Sequence, residues 1–106
     1  MTPEELVRSV FAKVRAGDWS VLDLYTEDAR LEFPDGQTRE GREGLREHYQ
    51  QVLEVRKPQP EVLAMYSNPP MVAAVVRSAP QGPVHLDVFT VDGDRLKGYR
   101  ACVETS

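Results

Sequence analysis

The sequence predicts one α+β domain over residues 1–106, with helices concentrated in the first half and a mostly antiparallel sheet in the second. Three observations carry this. Apolar residues recur at helical spacing after Thr2 and again between Gly41 and Arg56. Beyond Pro60 they alternate with polar residues in runs separated by Pro- and Gly-rich turns. A chain of 106 residues is also about the size that builds a single core.

The elements follow in order. Thr2-Pro3-Glu4-Glu5 is a capping box, with Thr2 at the N-cap, Pro3 at the first helical position and Glu5 reaching back. Leu6, Val7, Val10, Phe11 and Val14 then share one helical face, and Gly17 stops the helix. Asp18 caps a short second helix carrying Trp19, Leu22 and Tyr25. Ala29, Leu31 and Phe33 alternate with Arg30 and Glu32 as a half-buried strand, closed by the turn Pro34-Asp35-Gly36. A third helix covers about 41–56, with Leu45, His48, Tyr49, Val52 and Leu53 on one face, and Pro58 and Pro60 end it. Four strands remain, about 61–67, 71–79, 83–91 and 95–104. Asp92-Gly93 is the strongest hairpin signal in the chain.

Composition excludes several classes. The net charge is −4 and the 13 basic residues form no run, which speaks against nucleic acid or an anionic membrane as partner. The longest apolar run, Met71–Val76, is far too short to span a bilayer. A lone cysteine, Cys102, allows no internal disulfide, and the N-terminus lacks a basic and apolar leader, so a cytoplasmic location is expected. No metal or other cofactor is expected. Glu47-His48 lacks the second histidine of a zinc helix, Asp92-Gly93-Asp94 is a hairpin rather than a calcium loop, and no phosphate loop or nucleophile motif occurs.

Strand alternation separates two faces. Val84, Leu86 and Val88 point one way, and His85, Asp87, Phe89 and Val91 the other. In the last strand Tyr99, Ala101 and Val103 share a face, and Leu96 and Cys102 are expected opposite them. Helices can cover only one face. The other, carrying Val84, Leu86, Val88, Leu96 and Cys102, is expected to be covered by a second copy of the chain in a homodimer.

The stretches RAGDW (15–19), LYTEDARLEFPDG (24–36), GREGLREHY (41–49) and LDVFTVDGDRLKGYR (86–100), in this order and spacing, resemble the ketosteroid-isomerase, SnoaL-like polyketide cyclase and nuclear-transport-factor-like superfamily. The resemblance implies a cystatin-like cone: a strongly curved sheet wrapped around three helices, with a central pocket. It implies no single reaction, because the fold hosts isomerases, cyclases, dehydratases, epoxide hydrolases and non-catalytic binding modules.

The residues can be placed one by one on that pattern. The isomerases' general base is an aspartate just before a Pro-x-Gly turn, where this chain has Phe33. Their first-helix tyrosine donor falls on Val10. Asp87 matches the aspartic acid that those enzymes keep protonated, and Tyr49 a supporting tyrosine of the third helix. Base and main donor are thus absent, and steroid isomerisation by that mechanism is not expected. The candidate catalytic residues are Asp87 as acid or hydrogen-bond donor, His48 or His85 as base, and Tyr49 as support. Each has a plainer reading. His48 is then a half-solvated helix-flank histidine, His85 a rim residue, and Asp87 a carboxyl satisfied structurally by Tyr49 or Tyr99. Asp28 is expected to cap the turn after the second helix, and Asp35 to sit in an exposed turn. The pocket is expected to be lined by Val10, Val14, Trp19 and Phe33 from the first half, and by Val52, Phe89, Tyr99 and Ala101 from the second. Its mouth is expected to be open, or closed only by the turns at Pro69-Pro70 and Pro80–Pro83. The resemblance therefore implies a cofactor-free isomerase, cyclase or lyase acting on a small apolar or cyclic ligand. The alternative is a non-catalytic ligand-binding or dimerisation module on the same fold.

Overall fold

The capping box at the N-terminus forms as its residues dictate. In the computed structural model, which describes residues 1–78 and 80–102, the Glu5 N–H donates to the Thr2 hydroxyl (3.1 Å) and the Thr2 N–H to the Glu5 carboxylate (3.0 Å). This starts α1 (Pro3–Ala16), which Gly17 ends in the left-handed conformation at φ 68°. A 3-10 helix, Trp19–Leu24, follows, with the Asp18 carboxylate accepting the Ser20 N–H. Tyr25 does not belong to it: Tyr25 is the first residue of β1 (Tyr25–Glu32) and is completely buried. Asp28 accordingly lies within β1, exposed, and caps no helix.

A short strand absent from the expectations, β2 (Thr38–Glu40), pairs antiparallel with β1 across the Pro34-Asp35-Gly36 turn. The third helix has two parts. α2 (Gly41–Gln50) continues into a π-helical turn, Gln51–Arg56, closed by Lys57 at φ 46°, whose N–H donates to the Val52 carbonyl (2.8 Å). Then come β3 (Glu61–Asn68), β4 (Met71–Arg77), β5 (Val84–Asp92) and β6 (Arg95–Ala101). The sheet order is β2-β1-β6-β5-β4-β3, antiparallel throughout except for the parallel pair β1 and β6. The fold is thus α+β with a mixed, curved, unclosed sheet. α1 packs against β3 and β4, and α2 against β1.

Register shifts bend the sheet at Val62/Ala64 in β3 and at Thr90/Val91 between β5 and β6. The second shift corrects one expectation. Thr90 pairs with Gly98 while Val91 pairs with Leu96, so Lys97 bulges out of the ladder. Leu96 is thereby turned to the helix side, where it is fully buried beside Val91; it does not lie on the outer face. Val103, expected beside Tyr99 and Ala101, lies outside the described residues, as does the rest of the last strand expected to 104.

The core between helices and sheet joins Leu6, Val7, Val10 and Phe11 of α1 to Leu31, Leu45, Val72 and Phe89, with the Phe11 and Phe89 rings edge to face at 5.9 Å. Asp87 is the buried charged residue among the described ones, 3% exposed. The outer face of the sheet carries Val84, Leu86 and Val88, half-buried, with Met71 and Tyr66 exposed. Among the described residues no helix is long and apolar enough to cross a membrane.

Candidate functional site

A cavity of about 450 Å³ opens between the helices and the concave face of the sheet. α1 supplies Val10, Phe11 and Val14; α2 and its π turn supply His48, Tyr49, Val52 and Arg56; β5 and β6 supply His85, Asp87, Phe89, Tyr99 and Ala101. Of the residues expected to line a pocket, Val10, Val14, Phe33, Val52, Phe89, Tyr99 and Ala101 are brought together here. Trp19 is not. It sits in a surface crevice with Leu22, Arg46, Gln50 and Glu54 and is 37% exposed. Cys102 reaches the cavity from the end of the last strand. The rim carries the exposed Pro34 and Arg56 together with Pro58, whereas neither Pro69-Pro70 nor Pro80–Pro83 lines the cavity.

Asp87 is held from both sides. Its Oδ1 accepts the Tyr99 hydroxyl at 2.9 Å, and its Oδ2 lies 3.3 Å from His85 Nε2. Strand alternation accounts for the meeting: His85 and Asp87 are two apart on β5, and Tyr99 comes from the neighbouring β6 with its Cα opposite Phe89. The other ring nitrogen of His85, Nδ1, lies 3.4 Å from the Ser78 hydroxyl. Burial, and then the charge of Asp87, pushes the Tyr99 hydroxyl well above its ordinary range, so it remains a donor at neutral pH. With Oδ1 accepting the Tyr99 hydroxyl, it is Oδ2 that faces Nε2 of His85.

Tyr49 does not reach Asp87 by a hydrogen bond. Its hydroxyl lies 2.6 Å from that of Tyr25, and burial raises the pKa of both. His48 packs against the rings of Tyr49 (4.8 Å between centroids), Phe33 (5.2 Å) and Tyr99 (6.1 Å). Burial, followed by the charges of Arg56 and Arg39, lowers its pKa to about 4, so the ring is neutral near pH 7. Both histidines therefore reach the cavity, by different routes. Asp28 lies away from it in β1, and Asp35 accepts the Gln37 N–H in an exposed turn. Among the described residues no group of three or more His, Cys, Asp or Glu side chains is arranged to hold a metal ion.

The lining residues that sequence reasoning missed include two polar ones, Arg56 and Ser78. Arg56 lies four residues beyond Val52, so the helical spacing that marked Val52 also marked Arg56. Ser78 follows β4 where the strand ladder ends, and nothing in the local pattern aims its hydroxyl at His85.

Against known proteins, the family model described as a SnoaL-like domain matches residues 7–99. No curated protein sequence matches. Among solved structures, the chain is similar to the epoxide hydrolase/cyclase-like enzyme SalBIII, described for its role in pyran ring formation in the polyether salinomycin. The identity is 24%, covering 94% of this chain and 88% of that one, with a TM-score of 0.82. A SnoaL-like protein of unknown function from Burkholderia thailandensis superposes with a TM-score of 0.84 at 19% identity, over 98% of this chain and 94% of that one. A cystatin-fold protein from Novosphingobium aromaticivorans gives 0.79 at 20% identity, over 97% and 99%. At these identities the likeness concerns the fold.

Proposed function

The chain belongs to the SnoaL-like domain family, and from that premise we propose that it is a cofactor-free enzyme performing acid–base chemistry on a small apolar or cyclic molecule. The observation that carries this reading is the buried Asp87, bonded by Tyr99 and facing His85, at the wall of an open and largely apolar cavity. A buried carboxyl paired with an imidazole is a unit that can take a proton from a bound substrate and return it elsewhere on the same molecule. In this reading His85 and Asp87 pass the proton between them, Tyr99 fixes the carboxyl, and Tyr49, held through its hydroxyl by Tyr25, supplies a second polar residue of the cavity wall. His48, neutral and enclosed by aromatic rings, shapes the pocket and is at most a weak base. The ring-forming role described for the SalBIII neighbour is compatible with such chemistry, because ring closure and isomerisation both need a proton moved between two points of one substrate.

The test is deuterium incorporation from D2O next to the carbonyl of a bicyclic ketone such as 1-tetralone, followed by proton NMR. The protein is expected to accelerate exchange above the buffer rate, and Asp87→Asn to reduce the acceleration by about 100-fold or more. Binding of the ketone with no acceleration would instead favour a non-catalytic binding module.

A further inference from the structure

The cavity does not end at its rim. A second recess of about 360 Å³ lies against it, and the two share Phe33, Pro34, His48 and Arg56. The inner space is walled mainly by apolar side chains, whereas the outer one adds Asp35, Gln37, Arg39 and Gln51. A molecule that fills both spaces must therefore be amphipathic, with its apolar part inside.

The charges at the junction define the polar end. Arg39 is engaged by Glu47, Nη1 to Oε2 at 2.7 Å. Asp35 lines only the outer recess, and its Oδ1 accepts the Gln37 N–H. Arg56 lines both spaces, is exposed, and makes no ion pair with any described residue. After burial, its charge is the next cause of the lowered pKa of His48, which places the guanidinium in electrostatic reach of the cavity wall. Asp87 lies on the inner side. An anionic group pushed inward would meet a buried carboxyl, while the same group held at the rim meets an unengaged guanidinium.

We infer that Arg56 is a specificity residue and that the ligand is an organic carboxylate: a cyclic, apolar body in the inner cavity, and one carboxylate carried outward onto the Arg56 guanidinium. The planar fork of a guanidinium matches a carboxylate through two parallel hydrogen bonds. One unengaged cation balances one negative charge. The inference rests on the inner cavity taking an apolar or cyclic body, as proposed above, and adds the head group and its orientation.

Isothermal titration at pH 7 with 2-naphthylacetate and its uncharged amide, 2-naphthylacetamide, tests it. The carboxylate is expected to bind about tenfold more tightly, with the advantage shrinking as salt is raised. Arg56→Gln should bring the carboxylate to the affinity of the amide and leave the amide unchanged; Arg56→Lys should keep part of the preference. Far-UV circular dichroism checks that both variants remain folded, as expected for an exposed side chain. Equal binding of both probes to the unaltered protein would overturn the carboxylate assignment and leave the apolar cavity standing. An Arg56→Gln variant that weakens both probes alike would overturn the role of Arg56. Failure of both probes to bind at all would remove the inner-cavity reading and this inference with it.

Discussion

His48 and His85 reach one cavity under opposite constraints. His85 has a carboxylate oxygen at 3.3 Å, whereas His48 is packed against aromatic rings and feels the charges of two arginines. For His48 the consequence has a definite sign. The unfolded chain binds its proton at about pH 6.5, the folded chain only at about pH 4. Stability is therefore unaffected by this group above pH 6.5, falls as pH drops from 6.5 towards 4, and falls no further below that. Proton NMR should place the His48 midpoint near 4, and His48→Phe should flatten that part of the profile; a midpoint near 6.5 would contradict the packing described. At Asp87, Tyr99→Phe removes the hydroxyl donor to a carboxyl that has little access to water. The expected cost is about 1–3 kcal/mol in urea unfolding; no measurable loss would show that the bond does not hold the carboxyl. Strand alternation placed His85, Asp87 and Phe89 on the cavity face, because that depends only on the backbone. Which hydroxyl met Asp87 depends on lateral strand pairing, which the residues of β5 alone do not encode. In the sequence Tyr99 and Tyr49 are therefore equal candidates, and the β5–β6 register brings Tyr99 to Asp87.

Elements were legible where a period repeated and obscure where it broke. The capping box, the α1 stripe and the Asp92-Gly93 hairpin were all readable from short-range chemistry. Trp19, Leu22 and Tyr25 misled, since a spacing of three fits one edge of a 3-10 helix, yet the chain straightens into β1 at Tyr25. β2 is three polar residues long and carries no alternation to detect. The Lys97 bulge was invisible for a related reason: one extra residue reverses the parity of everything before it, and Leu96 changes face. This yields a sharp expectation. Leu96→Ala should cost about 2–5 kcal/mol, as for a leucine deleted from a packed core, with the loss measured by chemical denaturation at fixed protein concentration. A cost below about 1 kcal/mol would mean that Leu96 faces outward after all.

At the level of the whole molecule, one side of the sheet is occupied by helices and the other is not. Val84, Leu86, Val88, Met71 and Tyr66 form an apolar surface, bordered by the ion pairs of Arg30 and Arg100 with Glu32. A homodimer through this face is expected, burying roughly 800 Å² per subunit. Light scattering at micromolar concentration should give twice the chain mass, and Leu86→Lys should return it to a monomer while leaving the cavity able to bind its probes. A monomer mass for the unaltered protein would rule the dimer out. The parallel seam joins β1 and β6, the earliest and the last of the long strands in chain order. The β1–β2 hairpin has no other neighbour in the sheet, so apart from the seam it is held by the helix stacked on it and by the 3-10 helix that precedes it. Closing the seam means pairing residues about 70 positions apart, which costs loop entropy before any contact repays it. During synthesis the strand that bears Tyr99 is made after the other five strands of the sheet, so the sheet and the cavity wall it supplies are completed only once that strand is available.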